Sequence, residues 1–302
     1  MKTEIVEILQ KNIALLTKND LPEYTFIPQH YKPLPSLLKL HEIVELLRAI
    51  VFPGYFGEVI ENSNTLEFHL GVKMERLYNL LREQILNGLR FNTKNNGTDI
   101  SNEHASETAL SFINKIPELK RLVSTDIKAT FDGDPAALSY GEVIFCYPSI
   151  RAVFNHRIAH DLLNLGVPVI PRVISELAHS ETGIDIHPGA QIGEFFSIDH
   201  GTGVVIGETC IIGNHVRIYQ GVTLGAISLR LDENGHPLNI PRHPILEDNV
   251  VVYANANILG RITIGRDSTI GGNVWLTNSV PAGSRILQQK AIVSSFYDGL
   301  GI

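Results

Sequence analysis

The sequence predicts an α+β protein in two parts, an all-α N-terminal half followed by a C-terminal solenoid of short parallel strands. Apolar residues recur at helical spacing up to about residue 180. From residue 184 the apolar period changes to six, which neither a helix nor an isolated strand produces. The 302-residue chain is 44% hydrophobic and 19% charged, enough apolar material for a packed core. Length fits about two domains, drawn at 1–183 and 184–281, with a tail over 282–302.

In the first half, Ile5, Ile8, Leu9, Ile13 and Leu16 form one stripe, and Leu37, Leu40, Val44 and Leu47 form another. Each predicts an amphipathic helix whose apolar face joins a bundle core. Leu66 to Leu86 repeats the spacing through Leu70, Met74, Leu77 and Leu81, and Ala109, Phe112, Ile113 and Ile116 extend it until Pro117 interrupts. A further helix is predicted from Ser149 to Leu165, closing near Gly166 and Pro168.

In the second half, aliphatic residues fall at Ile186, Ile192 and Ile198. After a two-residue slip they return at Ile206, Ile212, Ile218 and Leu224, and after a longer interruption at Leu246, Val252, Ile258, Ile264, Ile270 and Leu276. A six-residue repeat requires flat faces of one short strand each, with the aliphatic side chain pointing into a shared core and glycine or asparagine turning the corners. Three faces close one coil of a triangular prism. This pattern resembles the hexapeptide-repeat acyltransferases, which implies a left-handed parallel β-helix.

Composition excludes several classes of partner. A net charge of −7 without a Lys/Arg run argues against nucleic acid or an anionic membrane surface. Glu4, Glu7 and Lys11 interrupt the N-terminal apolar residues, so no signal peptide is expected, and no segment has the roughly 20 apolar residues of a membrane span. Two cysteines, Cys146 and Cys210, are too few for a disulfide framework. The expected location is the cytoplasm.

Histidines cluster in and around the first coils, at His179, His187 and His200, with His243 inside the long interruption. Asp185 and His200 are 15 residues apart, just under one 18-residue coil, which places them near each other on adjacent coils. A carboxylate beside an imidazole fixes its tautomer and stabilises the imidazolium formed on proton transfer.

The surrounding words are DIHPGA (185–190), IDHGTGVVIGE (198–208), GVTLGA (221–226) and PRHP (241–244), with DPAAL (134–138) upstream in the helical half. In that order they resemble the serine O-acetyltransferases, which acetylate the L-serine hydroxyl from acetyl-CoA in the first step of cysteine biosynthesis. The resemblance implies that His200 is the general base and that Asp185 orients it. It implies that Asp134 and Asp199 contact the substrate's polar groups and that Arg242 and His243 hold its carboxylate. Acetyl-CoA would lie in a groove between β-helices of neighbouring subunits, with Gly225, Ala226, Ala254 and Gly272 as small-residue contacts.

The resemblance further implies direct transfer without a metal, inhibition by L-cysteine, and a homotrimer or dimer of trimers organised by the helical half. The tail, SSFYDGLGI, ends in Ile302, the terminus by which such enzymes engage O-acetylserine sulfhydrylase. Here the loop insertion 226–243 is longer than the family leads one to expect. Alternatives are a γ-carbonic-anhydrase-like zinc enzyme using His187, His200 and His243, an acyltransferase acting on a sugar or antibiotic, and a noncatalytic scaffold.

Overall fold

A computed structural model describes residues 2–17, 32–58, 65–91, 102–228 and 231–289. Among the described residues eight helices come first: α1 (Lys2–Thr17), α2 (Leu37–Val51), α3 (Leu66–Phe91), α4 (Asn102–Ile113), α5 (Ile116–Gly133), α6 (Tyr140–Cys146), α7 (Pro148–Asn164) and α8 (Ile170–Thr182). In the stripes of α2 and α3, Leu40, Val44, Leu47 and Leu77 are fully inaccessible, whereas Leu37, in the first turn of α2, stays 64% exposed. Ser36 caps α2 by accepting a hydrogen bond from the Lys39 amide. The helix before Pro117 stops earlier than expected, at Ile113; Ile116 belongs to α5, and Pro117 stands in the first turn of α5, where its missing N–H leaves no helical bond unmade. Among the described residues, no helix is long and apolar enough to cross a membrane.

The stripe of α1 departs from expectation. Ile5, Ile8, Leu9, Ile13 and Leu16 lie on a helix, but all remain more than half exposed in the single chain. An apolar stripe specifies a helix with something to bury; it does not specify that the same chain buries it.

The β-helix has three faces, all strands parallel. On the first face stack β1 (Asp185–Ile186), β4 (Val205–Ile206), β7 (Thr223–Gly225), β10 (Asn257–Leu259) and β13 (Trp275–Leu276). The second holds β2 (Gln191–Ile192), β5 (Ile211–Ile212), β8 (Ile245–Leu246) and β11 (Thr263–Ile264). The third holds β3 (Ser197–Asp199), β6 (Arg217–Tyr219), β9 (Val251–Val252), β12 (Thr269–Ile270) and β14 (Arg285–Ile286). The six-residue aliphatics Ile198, Ile206, Ile218, Leu224, Val252, Ile258 and Ile264 point inward and are almost completely buried. The strands run past residue 281 to Ile286.

The two halves share a wall. Ile150, Phe154, Ile158 and Leu162 of α7 join the helical core, while Ala152 and Val153 of the same helix join the β-helix core. A buried ion pair pins this junction: Arg157 of α7 meets Asp126 of α5 through Nε at 2.6 Å and Nη2 at 2.8 Å. Arg157 also donates to the carbonyl of Gly193, and Asp126 accepts from the Phe196 amide. Removing one member leaves the other charged, buried and unpaired. Asp126→Ala should therefore lose about 3 kcal/mol or more of stability, read from the denaturant midpoint; a loss below about 1 kcal/mol would contradict the pin.

Candidate functional site

The helical half and the third face enclose a cleft lined by Thr130, Gly133, Asp134, Tyr147, Ser197, Ile198, Asp199 and Arg217. Asp134 reaches it because α5 stops there: Pro135 disfavours helical dihedrals in the residue before it, and Asp134 is extended, at φ −119° and ψ 105°. Its Oδ1 accepts from the Ala136 amide at 2.8 Å and its Oδ2 from the Tyr147 hydroxyl at 2.7 Å. The Tyr147 hydrogen bond, then the Ala136 amide, hold the Asp134 carboxyl below its usual range, so it is ionised at neutral pH. The same bond pushes the Tyr147 phenol up to about 12.

Asp199 closes β3, and His200 begins the corner after it. The two-residue slip in the repeat lies at this corner: Asp185 pairs with Val205 and Ser197 with Arg217, 20 residues on, whereas Val205 pairs with Thr223, 18 on. The longer turn projects His200 into solvent, with its side chain 75% exposed and its Nε2 3.8 Å from Asp199 Oδ1. His200 has φ 58°, a left-handed conformation that costs most residues energy and that histidine adopts more readily than most.

Asp185 sits on β1 at the start of the first face, and it makes no hydrogen bond or ion pair with His200 in the single chain. The first coil is 20 residues long, and the backbone of Asp185 pairs in register with Val205. Its neighbours are Glu176 and His179 of α8, whose ligand-type atoms all lie within 4.8 Å of one another and of Asp185.

Arg242 and His243 stand elsewhere, at the corner joining the first face to the second. Arg242 Nη2 is bound to Glu208 Oε2 at 2.6 Å. The His243 ring lies against Gly207 so closely that a Cβ on Gly207 would come within 2.1 Å of it. Its Nδ1 accepts from the Thr209 amide at 3.0 Å, which leaves the ring proton on Nε2. Burial, reinforced by the Arg242 charge, lowers its pKa to about 4, so His243 is a neutral hydrogen-bond donor at neutral pH. The Thr209 hydroxyl accepts from the amides of Arg242 and His243, and Arg261 ties down the Thr209 and His243 carbonyls.

Apart from Asp185 on β1, the candidate residues sort to two edges of the first face. Asp134, Asp199 and His200 gather at its border with the third face, together with Ala254 and Gly272 on higher coils of that edge. Gly225, Ala226, Arg242 and His243 occupy its border with the second face. The histidines of the zinc alternative divide likewise, His187 and His243 at one edge and His200 at the other, and they do not converge within one chain. Glu208 closes the word IDHGTGVVIGE without being given a role, and the sequence motifs pointed to none of Tyr147, Thr209, Arg217 and Arg261.

Comparison with known proteins follows the same lines. The family model "Bacterial transferase hexapeptide (six repeats)" matches residues 243–278. A plasmid-encoded serine acetyltransferase of Synechococcus elongatus is 50% identical over 96% of this chain and 92% of its own length. The crystal structure of serine acetyltransferase isoform 3 from Entamoeba histolytica, in complex with cysteine, superposes with a TM-score of 0.72 and 31% identity, covering 99% of this chain and 96% of that one. The serine acetyltransferase of Brucella abortus in complex with coenzyme A superposes with a TM-score of 0.54 and 26% identity, covering 83% and 94%.

Proposed function

The chain belongs to the serine acetyltransferase family, and from that premise we propose which of its residues bind and which react. The enzyme is an acyltransferase built on a left-handed parallel β-helix, with acetyl-CoA as co-substrate and L-serine as acceptor. A serine hydroxyl is a weak nucleophile until a base takes its proton in the transition state. His200 is that base. It stands exposed on an over-long corner beside the cleft, and Asp134 and Asp199 stand ready there for the substrate ammonium.

In this scheme His200 accepts the hydroxyl proton as the oxygen attacks the thioester carbonyl. The tetrahedral oxyanion collapses, the C–S bond breaks, and the imidazolium returns its proton to the departing thiolate. Asp185 acts once the exposed imidazole turns toward it in the substrate complex, where catalytic hydrogen bonds commonly tighten. Transfer is direct. Cys210 offers no nucleophile, because burial pushes its thiol up to about 12.

Arg242 and His243 reach the substrate from a neighbouring copy, whose border between first and second faces meets the catalytic border of this one. A head-to-tail contact of two different edges closes into a ring, and the family resemblance makes that ring a homotrimer. The groove between copies then carries Gly225 and Ala226 on one wall and Ala254 and Gly272 on the other, flat enough for acetyl-CoA. Pairing of trimers through the helical half would give the larger assembly. L-cysteine shares serine's ammonium and carboxylate and inhibits by filling the same cleft. The tail ending at Ile302 lies outside the described residues, and its capture by O-acetylserine sulfhydrylase rests on the sequence resemblance.

The observation that carries this reading is that Asp134 and Asp199 line one cleft, with His200 Nε2 3.8 Å from Asp199 at its border. Its test is thiol release from acetyl-CoA with and without L-serine. Serine-dependent release is expected; release with other hydroxyl acceptors but not with serine would overturn the substrate.

A further inference from the structure

The motif assignment leaves the substrate carboxylate to Arg242, which is bound to Glu208 at the far edge of the first face. A second guanidinium already stands in the cleft. Arg217 on β6 lies one coil above Ser197, its register partner, and lines the cleft together with Asp134 and Asp199. Its Nη1 donates to the Gly133 carbonyl at 3.0 Å. Nη2 packs against the same glycine, where a Cβ would fall 1.3 Å from it, so a side chain at this end of α5 would force the guanidinium to move. Among the described residues Arg217 makes no ion pair and no other side-chain hydrogen bond.

A guanidinium has five donors in a planar fork matched to a carboxylate. Arg217 spends one on the Gly133 carbonyl, and its side chain lines a cleft that also holds the carboxylates of Asp134 and Asp199. Opposite charges on either side of one small space are the complement of an α-amino acid, with its ammonium toward Asp134 and Asp199 and its carboxylate toward the fork.

We propose that Arg217 is a specificity-determining residue of the serine site, gripping the substrate carboxylate from the same chain that supplies His200. The proposal rests on the serine acetyltransferase reading. Arg242 of the neighbouring copy then meets the carboxylate from the other side. Because Arg217 reads the carboxylate and not the hydroxyl, it serves cysteine as well as serine.

The test compares L-serine with L-serinamide, which keeps the hydroxyl and amine but lacks the carboxylate, at saturating acetyl-CoA. In Arg217→Gln, kcat/KM for L-serine should fall about 10- to 100-fold, mainly through KM, while that for L-serinamide changes less than about threefold. Both acceptors are read on one sample, so their ratio is independent of how much variant is folded. Arg217→Lys keeps the charge but not the fork and should recover part of the preference for serine. Equal losses on both acceptors, or an unchanged ratio, would make Arg217 a brace between α5 and β6 and overturn the proposal. Wild-type protein that releases no thiol with L-serine would instead withdraw the serine reading, and the Arg217 assignment with it.

Discussion

Replacing His200 with alanine is expected to lower kcat about 10²- to 10⁴-fold, the usual share of a general base, with the KM values for L-serine and acetyl-CoA within about threefold of wild type. The side chain is three-quarters exposed, so its removal opens no cavity. The corner it begins is held by other residues: Gly201 and Gly203 have φ 95° and 79°, and the Gly203 amide donates to the Gly183 carbonyl. Alanine at a left-handed position costs roughly 1–2 kcal/mol, which could cloud the result. His200→Asn removes the base while asparagine tolerates that backbone, and its melting temperature should match wild type. Steady-state kinetics on both variants decide. A loss under tenfold in His200→Asn would take His200 out of the mechanism.

The repeat was legible because a solenoid interior admits one inward side chain per face. Each aliphatic from Ile198 to Ile264 had to appear in the sequence at the spacing the coil imposes. The two-residue slip was equally visible, but its meaning was not: only the fold shows that the extra length falls on the corner carrying His200. Helix stripes announced α2, α3 and α7, yet the stripe of α1 could not say whether its cover lies in this chain. α5, α6 and α8 were not anticipated, and α5 contributes Asp134 at its C-cap. Tyr147 and Arg217 act through single contacts to Asp134 and Gly133 and leave no periodic trace. Motif order gathered Asp134, Asp199, His200, Arg242 and His243 into one site; the coil geometry divides them between two edges.

That division makes a prediction that no single-chain site shares. The His200→Ala and Arg242→Ala enzymes should each be strongly impaired, the second by about 10- to 100-fold in kcat/KM for L-serine through loss of a charge-assisted pair. If a site takes His200 from one copy and Arg242 from the next, a hetero-oligomer of the two variants contains sites in which both residues are intact. The Arg242→Ala copy supplies the histidine, and the His200→Ala copy supplies the arginine. A mixed ring of three copies has one whole site in three, so the isolated mixed trimers should return to about a third of wild-type activity. Coexpression with two different tags, followed by sequential capture, isolates the mixed oligomers for assay. Activity no greater than the mean of the two variants would place His200 and Arg242 in the same chain's site, and would require Arg242 to leave Glu208 and cross the first face to reach it.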